Sequence, residues 1–337
     1  MKDKSCSTYR HLFKLFQCLI LALIVTSCTK IADIKLPAKS EQVVVEGSIE
    51  NDAPPIIILT KSQRFFGTVN LNDLGSYFIH GAEVRVRSGE GDSVLLQEFC
   101  LNSLNLPADQ ARLLLRAFGF SQVDSASLPS VCVYTVPDIF NYLSGGMTAF
   151  HGKERTDYFL NITAPPFNGG DSIRLSSSTH IPTAIGIDSL AIREHENPIY
   201  RDSLAAVYVY ITVPDTFGNF VRYKNSRNSE PYYSPLTGSV YDDKLFVGLQ
   251  IGLPLGRGEA PGSKFDLNTS NYFWKGDTVN LKWSNIDSRT YDFYFSLENS
   301  GGSSPFSSPV RINTNINNGL GVWAGYATKY YSIIVPK

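Results

Sequence analysis

Cys28 carries the clearest chemistry in the sequence. Val25-Thr26-Ser27-Cys28 follows the branched, small, small, Cys pattern at which a bacterial lipoprotein signal is cut and the freed thiol takes on lipid. Upstream stand Lys2, Lys4, Arg10 and Lys14 and then a short apolar segment. A positive flank, a short apolar stretch and a small-residue cut site together define a secretory signal. The apolar stretch, residues 15–25, falls well short of the roughly 20 positions that a spanning helix needs. The expected anchor is therefore a set of acyl chains on Cys28; release by the general signal peptidase is the alternative. One acyl chain holds only marginally at about 0.8 kcal/mol per buried methylene, whereas two or three hold firmly.

The remaining thiols fit an oxidising compartment. Cys6 and Cys18 depart with the signal, and only Cys100 and Cys132 are left to pair. A Cys100–Cys132 disulfide would close a loop of about 30 residues and contribute roughly 3 kcal/mol through the unfolded state. Two buried thiols that never meet satisfy the same spacing. No CxxC and no Cys/His cluster at metal-ligand spacing accompanies them.

Other reactive side chains stand singly. His80, His151, His180 and His195 lie in no HExxH or other spaced pair. In Glu194-His195-Glu196 the histidine, if on a strand, points away from both carboxylates. Gly258-Glu259-Ala260-Pro261-Gly262-Ser263-Lys264 superficially resembles a phosphate loop, but its Ser-Lys order is reversed and Pro261 removes an amide donor. It reads as a plain loop. There is no GxSxG elbow. Asp242 and Asp243 are adjacent, so a calcium site would need further oxygen ligands that the sequence does not supply. The expectation is a protein that is not an enzyme, with no catalytic residue, no metal site and no cofactor.

The aromatics offer binding chemistry instead. Tyr208 and Tyr210 fall on the face opposite Val207 and Val209, while Tyr232, Tyr233 and Trp274 sit in turn-rich segments. Amphipathic rings on loops give contact area for a sugar or a partner at low entropic cost. Equally, they could cap the ends of a sandwich or fill a junction between domains.

The elements that must position these groups read as strands. Loss of 1–27 removes four basic residues and one acidic residue and takes the net charge from −1 to about −4. That mild acidity, with no basic stripe, excludes a phosphate-backbone partner, so no nucleic acid is expected. Residues 28–42 read as a tether that, as a flexible coil, reaches on the order of 20 Å. Short alternating segments punctuated by turn residues follow, which is the all-β pattern. Val43 to Gly47 and Ile56 to Thr60 flank a turn, giving a first hairpin. Ala82, Val84 and Val86 alternate with charged neighbours, and Tyr158 to Ala164 answers Ile173 and Leu175 across 165–170. Val207 to Val213, Val279 to Trp283, Phe293 to Leu297 and Tyr331 to Val335 each have period two. Pro107 to Phe118 and Asp138 to Leu143 break the pattern and read as helices, forming an insert over about 101–145.

The expected architecture is two tandem antiparallel β-sandwich (Ig-like) domains, 43–181 with the helical insert and 182–337, joined at Ile181 to Ile187. A transmembrane barrel also alternates, but these strands are short, irregularly spaced and interrupted by helices.

Several short segments, in their order along the chain, resemble one family. They are Cys28 in its lipobox, Val43-Val44-Val45-Glu46-Gly47, Gly81-Ala82-Glu83-Val84, Ile187-Asp188-Ser189-Leu190, Gly276-Asp277-Thr278-Val279, Tyr291-Asp292-Phe293-Tyr294, and the run from Asn315 to Trp323. The chain is similar to a Bacteroidota lipoprotein family catalogued as domain of unknown function 4249, and departs from it in the long insert between Cys100 and Cys132. The resemblance implies a place beside a TonB-dependent outer-membrane transporter and supplies no catalytic residues. It fits a protein lipid-anchored at the outer membrane. Thr29-Lys30-Ile31-Ala32-Asp33 lacks a compact acidic run resembling a surface-export tag, which leans towards the periplasmic side and leaves the side open. A stand-alone solute or glycan binder is the second reading.

Overall fold

Several strands of the first half turn one face inward and the other to water. β1 (Val43–Glu50) turns Val43, Val45 and Ile49 inward, and β3 (Glu83–Ser88) buries Val84 and Val86 while its charged residues face water. The computed structural model describes residues 41–62, 75–101, 131–167, 169–300 and 311–337. Cys28, the tether up to residue 40 and the expected helix at Pro107 to Phe118 lie outside the described residues. Residues Glu41–Lys337 form one unit, and the chain is predominantly β.

The first hairpin pairs β1 with β2 (Ile56–Lys61), and Asp52 takes the left-handed conformation at its turn, φ 61°. On its other side β1 pairs in parallel with β15 (Leu320–Ile334), Val45 opposite Gly321 and Gly47 opposite Trp323. β15 also pairs antiparallel with β14 (Thr278–Ile286), which pairs with β10 (Phe220–Arg227), and β11 (Val240–Asp242) forms that edge. Beyond β2 the ladder continues through β5 (Cys132–Thr135), β4 (Ser93–Cys100), β3, β6 (Thr156–Ala164) and β7 (Ile173–Ile181). β7 then returns over β15, where Gly325 N donates to Thr179 Oγ1 at 2.8 Å and Asn317 N donates to Ser176 O at 2.8 Å. A smaller sheet centres on β9 (Leu204–Thr212), flanked by β8 (Ser189–Glu194), β12 (Gln250–Pro254) and the short β13 (Phe273–Trp274).

Three buried clusters result among the described residues. The first lies inside the curled larger sheet, around Val45, Leu59, Tyr134, Tyr158 and Trp323. The second lies between the two sheets, around Val207, Tyr223, Phe273 and Trp283. The third lies beneath α2 (Ser288–Glu298) and includes Ile286, Tyr291 and Tyr326. α1 (Ile139–Leu143) matches the short helix expected there.

Three expectations differ from this. The helical insert expected over about 101–145 contains β5, which pairs with β2 and β4 inside the main ladder. The 43–181 and 182–337 halves were expected to be separate sandwiches, yet one hydrogen-bonded path runs through both, because β15 carries Trp323 into the first cluster and Tyr331 and Ile333 against the second. Alternation identifies strands and their buried faces, not their partners. Phe293, Phe295 and Leu297 were expected on a strand but lie in α2. There Asp287 caps the helix by accepting from Thr290 N at 2.7 Å, and Tyr291 stacks on Phe295 one turn later. The capping aspartate and the four-residue spacing outweigh a coincidental period of two.

β15 fits against β1 only through glycine. At Gly321, with φ 99°, a Cβ would stand 1.9 Å from the Val45 carbonyl oxygen. Gly321→Ala should lower stability by about 2 kcal/mol or more, read as a shift in the urea midpoint with unchanged slope.

Candidate functional site

Between the two sheets the second cluster does not fill its space. A cavity of about 260 Å³ opens there, walled by Ile211, Ile251 and Leu253 from the small sheet and by Val221, Tyr241 and Trp283 from the larger one. The strands put these side chains on their inward faces, and their spacing leaves room for a guest. An apolar cavity of roughly 150 Å³ is known to stay dry and to accept benzene, so this one suits a compact apolar group of somewhat greater size.

Polar groups gather at its mouth and are held by local bonds. Asp243 is buried, with 5% of its surface exposed. Its carboxylate accepts from Asn219 N at 2.9 Å, Asn219 Nδ2 at 2.8 Å and Gly218 N at 3.2 Å. Burial by itself would raise the Asp243 pKa, but these donors outweigh it and hold the group below its ordinary value. Asn285 Oδ1 accepts from Ile185 N at 2.7 Å. Asp242 pairs with Lys244 at 3.0 Å. The two aspartates disfavour an anionic guest.

Asp243 also stitches together the two loops that frame this mouth. Val213 N donates to Leu249 O at 2.9 Å, and Gly248 N donates to Pro214 O at 3.2 Å. These fixed loops hold large apolar side chains out in water: Phe217 is 77% exposed, Leu245 81% and Leu249 53%. Single exposed apolar residues are ordinary, but several on two joined loops beside an apolar cavity make a surface suited to contact.

The residues singled out in the sequence are placed elsewhere. The sulfurs of Cys100 and Cys132, directly opposed across β4 and β5, are bonded to each other. Beside them His80 Nδ1 meets Glu98 Oε1 at 2.6 Å, and the ligand atoms of the four residues lie within 4.8 Å of one another. A thiolate is the metal-binding form of cysteine, so with the sulfurs joined this group presents only an imidazole and a carboxylate. His195 is buried, stacked on Tyr272 with ring centres 3.7 Å apart, and its Nε2 lies 2.9 Å from Asn268 O. It is a satisfied core histidine. In the loop that superficially resembles a phosphate loop, a Cβ on Gly258 would stand 2.6 Å from the carbonyl oxygens of Asn225 and Tyr233. That glycine permits close packing.

The aromatic candidates are spread over two sheets. Tyr232 lies edge-on to Tyr330, the Tyr233 backbone exchanges two hydrogen bonds with Asn225, and Trp274 stands half-exposed on β13. Arg193 stacks on Tyr208, its guanidinium carbon 4.2 Å from the ring centre. Phe217, Leu245 and Leu249 were passed over in the sequence. The available signal was large apolar residues inside segments dense in turn formers, as in Pro214-Asp215-Thr216-Phe217-Gly218-Asn219.

A family model described as "Domain of unknown function (DUF4249)" matches residues 29–332. The chain belongs to that family. No curated protein and no solved structure matches it.

Asp243→Asn should cost about 1.5–3 kcal/mol, since a charged acceptor of several N–H groups becomes an amide. Because its pKa is lowered in the fold, the Asp243 contribution is present above the ordinary value of 3.8 and lost as pH falls through the lower folded value. Urea melts between pH 7 and pH 2 should show that the variant loses less stability on acidification than the wild type. Separately, reducing Cys100–Cys132 should lower stability by about 3 kcal/mol, measured by urea melts with and without a phosphine.

Proposed function

We propose that the protein is a non-enzymatic lipoprotein of the outer membrane, moored through Cys28, that serves as an accessory or recognition partner of a TonB-dependent transporter. The observation that carries the docking role is the pair of stitched loops presenting Phe217, Leu245 and Leu249 to solvent. Anchors of this kind bury into pockets on a partner, and their loops are already fixed, so little ordering entropy is lost on contact. The mooring rests on the Val25-Thr26-Ser27-Cys28 pattern and the basic, apolar segment before it. No helix among the described residues is long and apolar enough to cross a membrane.

A second reading, solute binding, is favoured by the cavity between the sheets. Its occupant would be a compact neutral apolar solute, received in a preformed space with aspartates at the rim.

Labelled palmitate should enter the wild type and not Cys28→Ala; equal labelling removes the anchor from the proposal. Gentle detergent extraction should recover a large barrel protein with the wild type and much less with the doubly substituted Phe217→Asp, Leu245→Asp chain. Both side chains are exposed, so the variant should melt like the wild type. Undiminished recovery would remove these loops from the docking role. Thermal stabilisation by small apolar probes, abolished by Val221→Trp, would instead support the solute reading.

A further inference from the structure

A second concavity lies apart from the apolar cavity and shares no lining residue with it. Its volume is about 890 Å³, within the range of about 300–1,000 Å³ typical of ligand sites. Its floor is the outer face of β3, β6 and β7, where Arg87, Phe159 and Ser178 form one cross-strand row and Asn161 and Ser176 belong to the next. α2 contributes Arg289 and Asp292, and the segment before β15 contributes Arg311, Asn313 and Asn317.

Charge and hydrogen-bonding capacity define what fits. Three guanidinium groups face one carboxylate in a chain whose net charge is −1. Among the described residues none of the three is within ion-pair distance of an acidic group. Arg87 lies over the Phe159 ring at 4.5 Å, and Arg289 Nη1 donates to Ser178 Oγ at 2.9 Å. Both heads are thereby oriented while keeping donors to spare, and a guanidinium fork matches a carboxylate with two parallel bonds. Around them the amides and hydroxyls of Asn161, Ser176, Asn313 and Asn317 present donors and acceptors together, as sugar hydroxyls require.

The groove is also fixed in shape. Asp287 joins its floor to the α2 wall, since its carboxylate accepts from Thr179 Oγ1 at 2.9 Å and His180 N at 2.9 Å on β7 while capping α2 through Thr290 N. Ser177 Oγ donates to Asn315 O at 2.7 Å, and Asn317 Nδ2 donates to Ser176 Oγ at 3.1 Å, which secures the 311–317 segment to the floor.

We infer that this groove binds a short acidic oligosaccharide, its carboxylates held by Arg87, Arg289 and Arg311 and its hydroxyls by the surrounding amides. The test is calorimetric titration of the full chain in detergent with trigalacturonate, maltotriose and inorganic sulfate. Trigalacturonate should bind, at least tenfold more tightly than sulfate, with affinity falling as salt rises; maltotriose should not bind. Arg311→Gln should weaken trigalacturonate binding severalfold, and Arg87→Gln with Arg311→Gln at least tenfold, with unchanged thermal melting because both side chains are exposed. Equal affinity for maltotriose, or undiminished binding by the double variant, would overturn the assignment. Equal affinity for sulfate would reduce the groove to a simple anion site and overturn the saccharide. Copurification of the barrel partner through Phe217 and Leu245 is independent of each of these outcomes.

Discussion

The architecture depends on the parallel contact between the first strand and the last. β1 and β15 come from opposite ends of the described chain, and their pairing closes the first cluster, positions the indole of Trp323 and extends one ladder across both halves. The contact is close enough that side chains had to be omitted from it. Gly47 lets the Trp323 ring lie on the backbone of β1, since a Cβ there would stand 2.8 Å from the ring, and Gly321 leaves room for the Val45 carbonyl. Trp323 Nε1 then donates to Tyr158 O at 3.1 Å, so the largest buried side chain satisfies its polar atom on β6. A parallel pair cannot form from a local turn. It requires the whole intervening chain to be in place.

That distinction explains what could be read from the sequence. Inward and outward faces were legible for β3 and β6, where buried and more exposed residues alternate as their hydrophobic pattern indicates. The hairpins were legible because their turns are local. The sharing of β15 was not, because nothing in the run from Leu320 to Ile334 specifies that one edge meets β1 and the other β14. α2 was misread for a different reason. Phe293, Phe295 and Leu297 alternate, but Phe295 and Leu297 are exposed, while Tyr291, Phe293 and Tyr294 pack against the third cluster and Asp287 supplies the helix cap.

The same contrast applies to the sites. Residues with recognisable chemistry, such as His195 and Gly258, turned out to serve packing, because their surroundings satisfy them completely. The groups that remain available were individually unremarkable in the sequence. Phe217 and Leu245 have meaning only once backbone bonds join their loops, and Arg87, Arg289 and Arg311 only once β3, α2 and the segment before β15 converge. A binding surface assembled from distant segments has no spacing signature. Asp243 is an intermediate case: its carboxylate is conspicuous in Asp242-Asp243, but its partners Gly218 and Asn219 lie on another loop.

α2 shows how the packing and the groove are tied together. Its inner side is held by Tyr294, against which the part-buried Arg222 guanidinium lies 3.4 Å from the ring centre while Nη1 donates to Tyr326 OH at 3.1 Å. Tyr326 OH in turn donates to Tyr294 OH at 2.9 Å, so the cation, two phenols and the helix form one connected unit on β10 and β15. At the C-terminal end, Glu298 accepts from Ser239 N at 2.9 Å and so ties the helix to the chain entering β11. With both ends and one face secured, the helix has little freedom to roll. Arg289 and Asp292, one turn apart on the opposite side, are consequently carried at fixed positions above β7. The part-buried cation thus helps to hold the helix that carries the groove's upper wall.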